Sequence, residues 1–174
     1  MSTLDPILME IDQEAAITAR VLERIPEEHL TWKPHEKSMS LGQLAMHIAT
    51  IPGNIAAMLA GDSFEINPAA FENMPGAASR QEILDAHAES VAKARQFVAG
   101  LDAERASATW RLMAGPQELV AAPRAAMVRT IMLNHWYHHR GQLTVYLRLL
   151  NVSVPVVYGR SADEGPFAAK AQTA

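Results

Sequence analysis

Apolar residues recur at alternating steps of four and three along most of this chain. That spacing commits it to helices that each bury one face. In the first segment Leu4, Leu8, Ile11, Ala15, Thr18, Leu22 and Ile25 form such a line, the seam of a helix in a bundle. Asp5–Pro6 suits an N-cap followed by a proline at the first helical position, and Pro26 ends the run. The spacing predicts a helix over about 4–25. Ser40 and Gln43 have capping-box spacing ahead of Leu44, His47, Ile48, Ile51, Ile55, Met58 and Leu59. A second helix is therefore expected over 40–60, stopped at Gly61 and kinked or split at Pro52–Gly53. Ser79 and Glu82 repeat the opening signal for a third helix over 79–100, with Leu84, His87, Val91, Ala94, Val98 and Leu101 on its seam. A fourth is expected over 123–151.

The predicted class is all-α, a four-helix bundle with long connections. The joints at 26–39, 62–78 and 102–121 exceed the ~2–8 residues that usually link helices in bundles. Such lengths permit crossovers, so consecutive helices need not be antiparallel neighbours. The third joint holds ATWRLMAGPQELVAA, which suits a short hairpin or extended stretch around Gly115–Pro116. The tail after 151, VSVPVVYGRSADEGPF, is marked by proline and glycine and is expected to be irregular. A chain of 174 residues fits one domain, 1–174.

Composition narrows the chemistry. There is no cysteine, which excludes disulfides, thiolate metal sites and a thiol nucleophile of the protein's own. A net charge of −4 offers no electrostatic footprint for nucleic acid. No apolar run reaches the ~18 residues of a membrane span. The opening MSTLDPILMEIDQEAA has acids within its apolar part and no basic n-region. The expectation is a cytoplasmic protein with a small-molecule substrate, without nucleic-acid or membrane partners.

The seven histidines are unevenly placed. His29 and His35 lie in a polar joint and read as solvated. The cluster is NHWYHHRGQ, 134–142. On a helix turning about 100° per residue, His139 falls about 40° from His135, with Tyr146 between them and Leu149 on the same stripe. Cβ atoms one turn apart are ~5–6 Å from each other, close enough for two imidazoles to converge on one ion. His138, about 60° to the other side, would serve as well by an i,i+3 pairing. Such a pair arises by chance often enough to decide little alone, and hydrogen-bonded core or pocket histidines are the competing reading. His47 adds weight, because it shares a stripe with Leu44, Ile51 and Met58. Three inward nitrogens make a facial set that leaves a coordination position open for water or substrate, as a catalytic site requires. His87 reads as a fourth ligand, a substrate contact or a core residue. Gln142 is placed to orient bound water or substrate, so His87, Gln142, Tyr146 and His138 are the candidates for the pocket wall. Trp136 and Tyr137 project away from this stripe, toward joints or a partner subunit, and the methionines read as core filling. Asp163–Glu164 reads as a solvated turn or an acceptor near the site. No GxSxG, HExxH or phosphate-cradling glycine loop occurs.

Two segments carry a resemblance. LGQLAMHIATIPGNI (41–55) and LNHWYHHRGQLTVYLRLLNVSVPVVYG (133–159), with the lead-in LTWKPHEKSMS, are similar to the second and fourth helices of the DinB superfamily. That group includes the bacillithiol transferases and the mycothiol-dependent maleylpyruvate isomerase. The HxxxHRGQ form, His135 to Gln142, is the more specific match. The resemblance implies an up-down-down-up bundle, a homodimer, and one divalent ion, zinc or nickel, held by His47, His135 and His139 with water. It implies His139 in place of His138. It further implies an external low-molecular-weight thiol as co-substrate for transfer to a small electrophile, against two rivals: a metal-dependent hydrolase and a non-catalytic metal-binding stress-response protein. No residue here identifies the thiol, and none is assigned a catalytic role.

Overall fold

The computed structural model describes residues 4–67 and 74–165. Four long helical stretches carry the core: α1 (Asp5–Leu22), α2 (Leu41–Ala60), α3 (Arg80–Ala99) and a last one that changes character along its length. Between α3 and that last stretch lie a short helix α4 (Ala103–Ser107) and two strands. The last stretch begins as α5 (Arg124–Met127), widens to a π-helix over Val128–Asn134, and continues as α6 (His135–Leu149). α2 packs on α3 and α6, and α1 packs on the same two helices. α1 ends at Leu22, and Ile25, still fully buried, follows it in a turn.

The N-terminal caps follow from local chemistry. The Ser40 hydroxyl accepts from Gln43 N (3.2 Å), and the Gln43 side chain accepts from Ser40 N (2.9 Å). Ser79 accepts from Glu82 N (3.1 Å), while the Glu82 carboxylate reaches one residue further back, to Ala78 N (2.7 Å). Proline and glycine at 52–53 do not split α2, which runs unbroken from Leu41 to Ala60. Here the third helix intervenes. Gly53 N donates to Ser90 Oγ (2.7 Å), and a Cβ on Gly53 would stand 3.0 Å from Ser90 Cα. The missing side chain lets α3 approach closely enough to satisfy the backbone at the proline step.

The all-α expectation needs correction: the protein is mostly helical with a small three-stranded sheet. β2 (Thr109–Ala114) and β3 (Gln117–Pro123) form an antiparallel hairpin with a bulge between Leu112 and Met113. Its two-residue turn is Gly115–Pro116, with Gly115 at φ +56°, as a type II′ turn requires of its first central residue. β1 (Ser63–Glu65) adds to β2 in parallel, Phe64 opposite Leu112. This sheet and the short helices α4 and α5 beside it close the C-terminal end of α2, where helical carbonyls lack intrahelical partners. Trp110 Nε1 donates to Met58 O (3.1 Å), Arg124 to Leu59 O (2.8 Å) and Gly61 O (2.9 Å), and Arg105 to Ala60 O (2.9 Å).

The buried line of α6 also differs from expectation. It consists of Trp136, Arg140, Leu143 and Leu147, while Leu149 is 57% exposed. This places the core about 100° around the helix from His135. Burial of a charge made the difference: Arg140 is 1% exposed because Glu14 of α1 neutralises it inside the protein. Trp136 is wholly buried, not directed at a joint or partner. The tail from Val152 to Gly165 is irregular. Asp163 pairs with Arg148 and accepts from Val154 N, and Glu164 pairs with Arg24 and accepts from Val156 N. These acids tie the tail to α6 and α1. Among the described residues no helix is long and apolar enough to cross a membrane.

Candidate metal centre

The histidines of α6 flank the core line instead of lying on it, and this half-buried position suits a site that must meet a ligand. His47 projects from α2 toward His135 and His139, which stand one turn apart at the start of α6. Ring centroids are 5.2 Å apart for His47–His135, 4.6 Å for His47–His139 and 4.6 Å for His135–His139. One nitrogen from each lies within 4.8 Å of the others, a group that could hold a metal ion.

The distances fit such an ion. Two nitrogen ligands at about 2.0–2.1 Å from a tetrahedral zinc stand about 3.3–3.4 Å apart. His47 Nε2 and His135 Nε2 are 3.3 Å apart. The protonation state fits as well. Burial foremost, then the neighbouring His139 and His135 rings, pushes His47 down to about 4. Burial also lowers His135 and His139. All three rings are neutral at pH 7 and present lone pairs.

Hydrogen bonds to the outer ring edges select the tautomer. His139 Nδ1–H donates to Gln142 Oε1 (2.7 Å), which leaves Nε2 unprotonated and facing inward. The His135 ring hydrogen-bonds to the backbone at Ile131. With Nε2 turned to His47, Nδ1 makes that bond. The π-helix bears on this contact, because the His135 N–H bonds to Met132 O at its end. π-helical turns often occur at functional sites for such local rearrangements.

The remaining sequence candidates are placed differently. His138 is exposed, its ring 4.9 Å from His139 and outside the group of three. Gln142 orients His139. Tyr146 donates to Met39 O (3.2 Å) and meets Trp32 edge-on at 5.7 Å, pinning the joint before α2. His87 is buried against Trp136, with ring centroids 5.9 Å apart, and burial pushes it down to about 4. Its Nε2 and the Trp136 Nε1 have no hydrogen-bond partner among the described residues.

Two cavities meet at His47. One, about 350 Å³, lies between α2, the sheet and the π-helix and also reaches His135. The other, about 400 Å³, lies on the side of Gln43, Thr50 and Glu82. Asn54 and Met74 line both. Spacing analysis did not single out Asn54, although it stands seven residues after His47 and so near the same face of α2. Its side chain has no hydrogen-bond partner within the described residues.

Comparison with known proteins places this architecture. The chain is 28% identical over 164 residues to the Bacillus subtilis (strain 168) uncharacterized protein YrdA, covering 93% of this chain and 92% of that one. A solved DinB-like protein of Bacillus cereus ATCC 10987 superposes with a TM-score of 0.68 at 23% identity, covering 87% of this chain and 95% of the other. The DinB-like protein YjoA of Bacillus subtilis gives 0.66 at 22% identity, covering 90% and 100%. These two share the fold. The model of the DinB family matches residues 1–169, nearly the full length, and on that match the chain belongs to the DinB family.

Proposed function

We propose that His47, His135 and His139 bind one divalent ion, zinc or nickel, and that the protein joins the sulfur of an external low-molecular-weight thiol to a carbon of a small electrophile. The thiol proton passes to solvent, and the electrophile's leaving group departs with the bonding pair. The observation that carries this reading is the convergence of three neutral imidazoles, two of them 3.3 Å apart, with His47 lining two cavities and His135 one of them. When bound, the ion would supply positive charge that stabilises a thiolate at neutral pH. The chain's own part is positional. Gln142 and the backbone at Ile131 fix the rings of His139 and His135, and α2 carries His47 and Asn54 to the same rim. Only histidines make up the group among the described residues, and no carboxylate belongs to it. A general base for water would have to come from outside the group, whereas a thiol needs only the ion to lose its proton, which favours the thiol as nucleophile.

The same reading takes residues 1–174 as one DinB-like domain with its helices in up-down-down-up order, acting as a cytoplasmic homodimer. The packing of α1 on α3 and α6 supports the crossover order. Val145 and Leu149, each 57% exposed and one turn apart on α6, supply apolar surface for a second copy.

The test is turnover. Zinc- or nickel-loaded protein is incubated with 1-chloro-2,4-dinitrobenzene and a series of small thiols. The expected result is product formation above the thiol-only background that disappears on chelation. Metal-dependent product without thiol would replace transfer by hydrolysis, and no product with any thiol would reduce the protein to a metal binder.

A further inference from the structure

The two cavities that meet at His47 differ in chemistry. The one under the sheet is walled by Ile51, Ile55 and Met58 of α2, Phe64 of β1, Leu112 of β2 and Ile131 of the π-helix. Its polar lining among the described residues is limited to the two imidazoles, Asn54 and Asn67, and no charged side chain faces it. The other is lined by Gln43, Thr50 and the Glu82 carboxylate. An ionised group entering the first would lose its hydration and meet no counter-charge among the described residues, whereas an apolar body would release water from both surfaces. A cavity of 150 Å³ suffices for benzene, and about 350 Å³ is a little over twice that. The space matches a bicyclic aromatic or an alkyl chain of similar bulk.

We infer that the molecule modified at the histidine cluster is a neutral, apolar aryl or alkyl electrophile seated between α2 and the sheet, while the hydrophilic co-substrate enters through the chamber beside Thr50 and Glu82. This rests on the transferase reading for what happens to the molecule, but the seat itself follows from the cavity walls. Met74 and Asn54 stand where the chambers adjoin. Beside His47, the Asn54 amide, without a hydrogen-bond partner among the described residues, is the polar group on α2 placed to orient a ligand in either. The sheet, absent from a bare four-helix plan, thereby acquires a role as the outer wall of a substrate seat.

The experiment is equilibrium binding of 2-naphthol and of 2-naphthoate, followed by ligand-observed NMR on the full chain. It is run zinc-loaded for 2-naphthol and chelator-treated for both, so that no ion can hold the carboxylate. The expected result is saturable binding of 2-naphthol in both states, with 2-naphthoate at least tenfold weaker. Met58→Trp, which fills the seat, should weaken 2-naphthol at least tenfold, while Thr50→Val in the other chamber should leave it unchanged. Leu112→Trp blocks the seat from the opposite wall and serves if Met58→Trp fails to fold. Equal binding of the anion, or undiminished 2-naphthol binding in both folded tryptophan variants, would overturn the inference. Metal content measured on the same samples tests the metal reading separately. Naphthol binding without metal would uphold the seat while removing the ion, and metal without naphthol binding would do the reverse.

Discussion

Changing His47, His135 or His139 singly to alanine is expected to take bound zinc or nickel from the proposed one ion per chain to none at micromolar protein, whereas His29→Ala and His138→Ala should leave it unchanged. Each of the three supplies one of three nitrogens, so a single loss leaves two ligands and an unfavourable geometry. Elemental analysis after gel filtration of untagged protein reads the result. A graded form of the same effect comes from Gln142→Ala. Losing the partner of His139 Nδ1 frees the ring to rotate and take the other tautomer, and affinity should fall by roughly 10–100-fold. The pH dependence follows in sign. Ligand imidazoles must be neutral. In the folded protein His47 titrates at about 4, below its ordinary 6.5, because of burial and its two neighbours. Protons therefore compete little at pH 6, and the ion should leave as the pH falls toward 4. The same depressed value means that the metal-free fold is favoured fully above 6.5 and loses that contribution between 6.5 and about 4.

Glu14→Ala is expected to destabilise the fold by about 3–5 kcal/mol, the usual cost of leaving a buried charge without its partner. Arg140 and Glu14 are 1% and 5% exposed. Arg140 Nη2 stands 2.6 Å from Glu14 Oε2, and Nη1 donates to Thr18 Oγ1 (3.0 Å) and Glu14 O (3.3 Å). Tyr158 donates to Glu14 Oε2 (2.9 Å) and also bonds Arg140, and the guanidinium lies 5.2 Å and 5.1 Å from the Tyr137 and Tyr158 ring centres. This knot joins α1, α6 and the tail. For a chain of this size the loss corresponds to a fall in melting temperature of roughly 10 °C. Pairing Glu14→Leu with Arg140→Met should recover most of it, since two matched apolar side chains leave no charge stranded. Thermal unfolding of the single and double variants decides. A Glu14→Ala protein as stable as the parent would mean that water reaches Arg140.

Arg140 also shows where the sequence is legible and where it is not. Helix positions and caps follow from local chemistry, and Ser40–Gln43 could be read because capping depends on neighbours three residues apart. The core line of α6 could not, because hydropathy rejects an arginine and nothing local says that Glu14, 126 residues away, will meet it. Pro52–Gly53 reads as a break until Ser90 of α3 supplies the missing partner. The hairpin has a visible turn in Gly115–Pro116. Its third strand, Ser63–Glu65, is three exposed residues with no alternation, held only by its parallel neighbour β2. The expected joint over 62–78 includes 68–73, which lie outside the described residues. For the candidate centre, spacing brought His135 near either His138 or His139 and put His47 on an inward stripe. The choice of His139 came from the HxxxHRGQ resemblance, and the geometry groups those same three rings. The cavity walls escaped notice because they become neighbours only when the sheet folds over α2, and Asn54, already on the His47 face, because an amide is not a residue type that metal-ligand spacing looks for.

The ion itself is best tested by X-ray absorption at the zinc or nickel edge on untagged protein after loading and gel filtration. One ion per chain, with a first shell of three imidazole nitrogens (at about 2.0–2.1 Å for zinc) and at least one exchangeable light donor, is the predicted spectrum. No retained ion, or a shell dominated by carboxylate oxygen, would contradict a centre built on His47, His135 and His139.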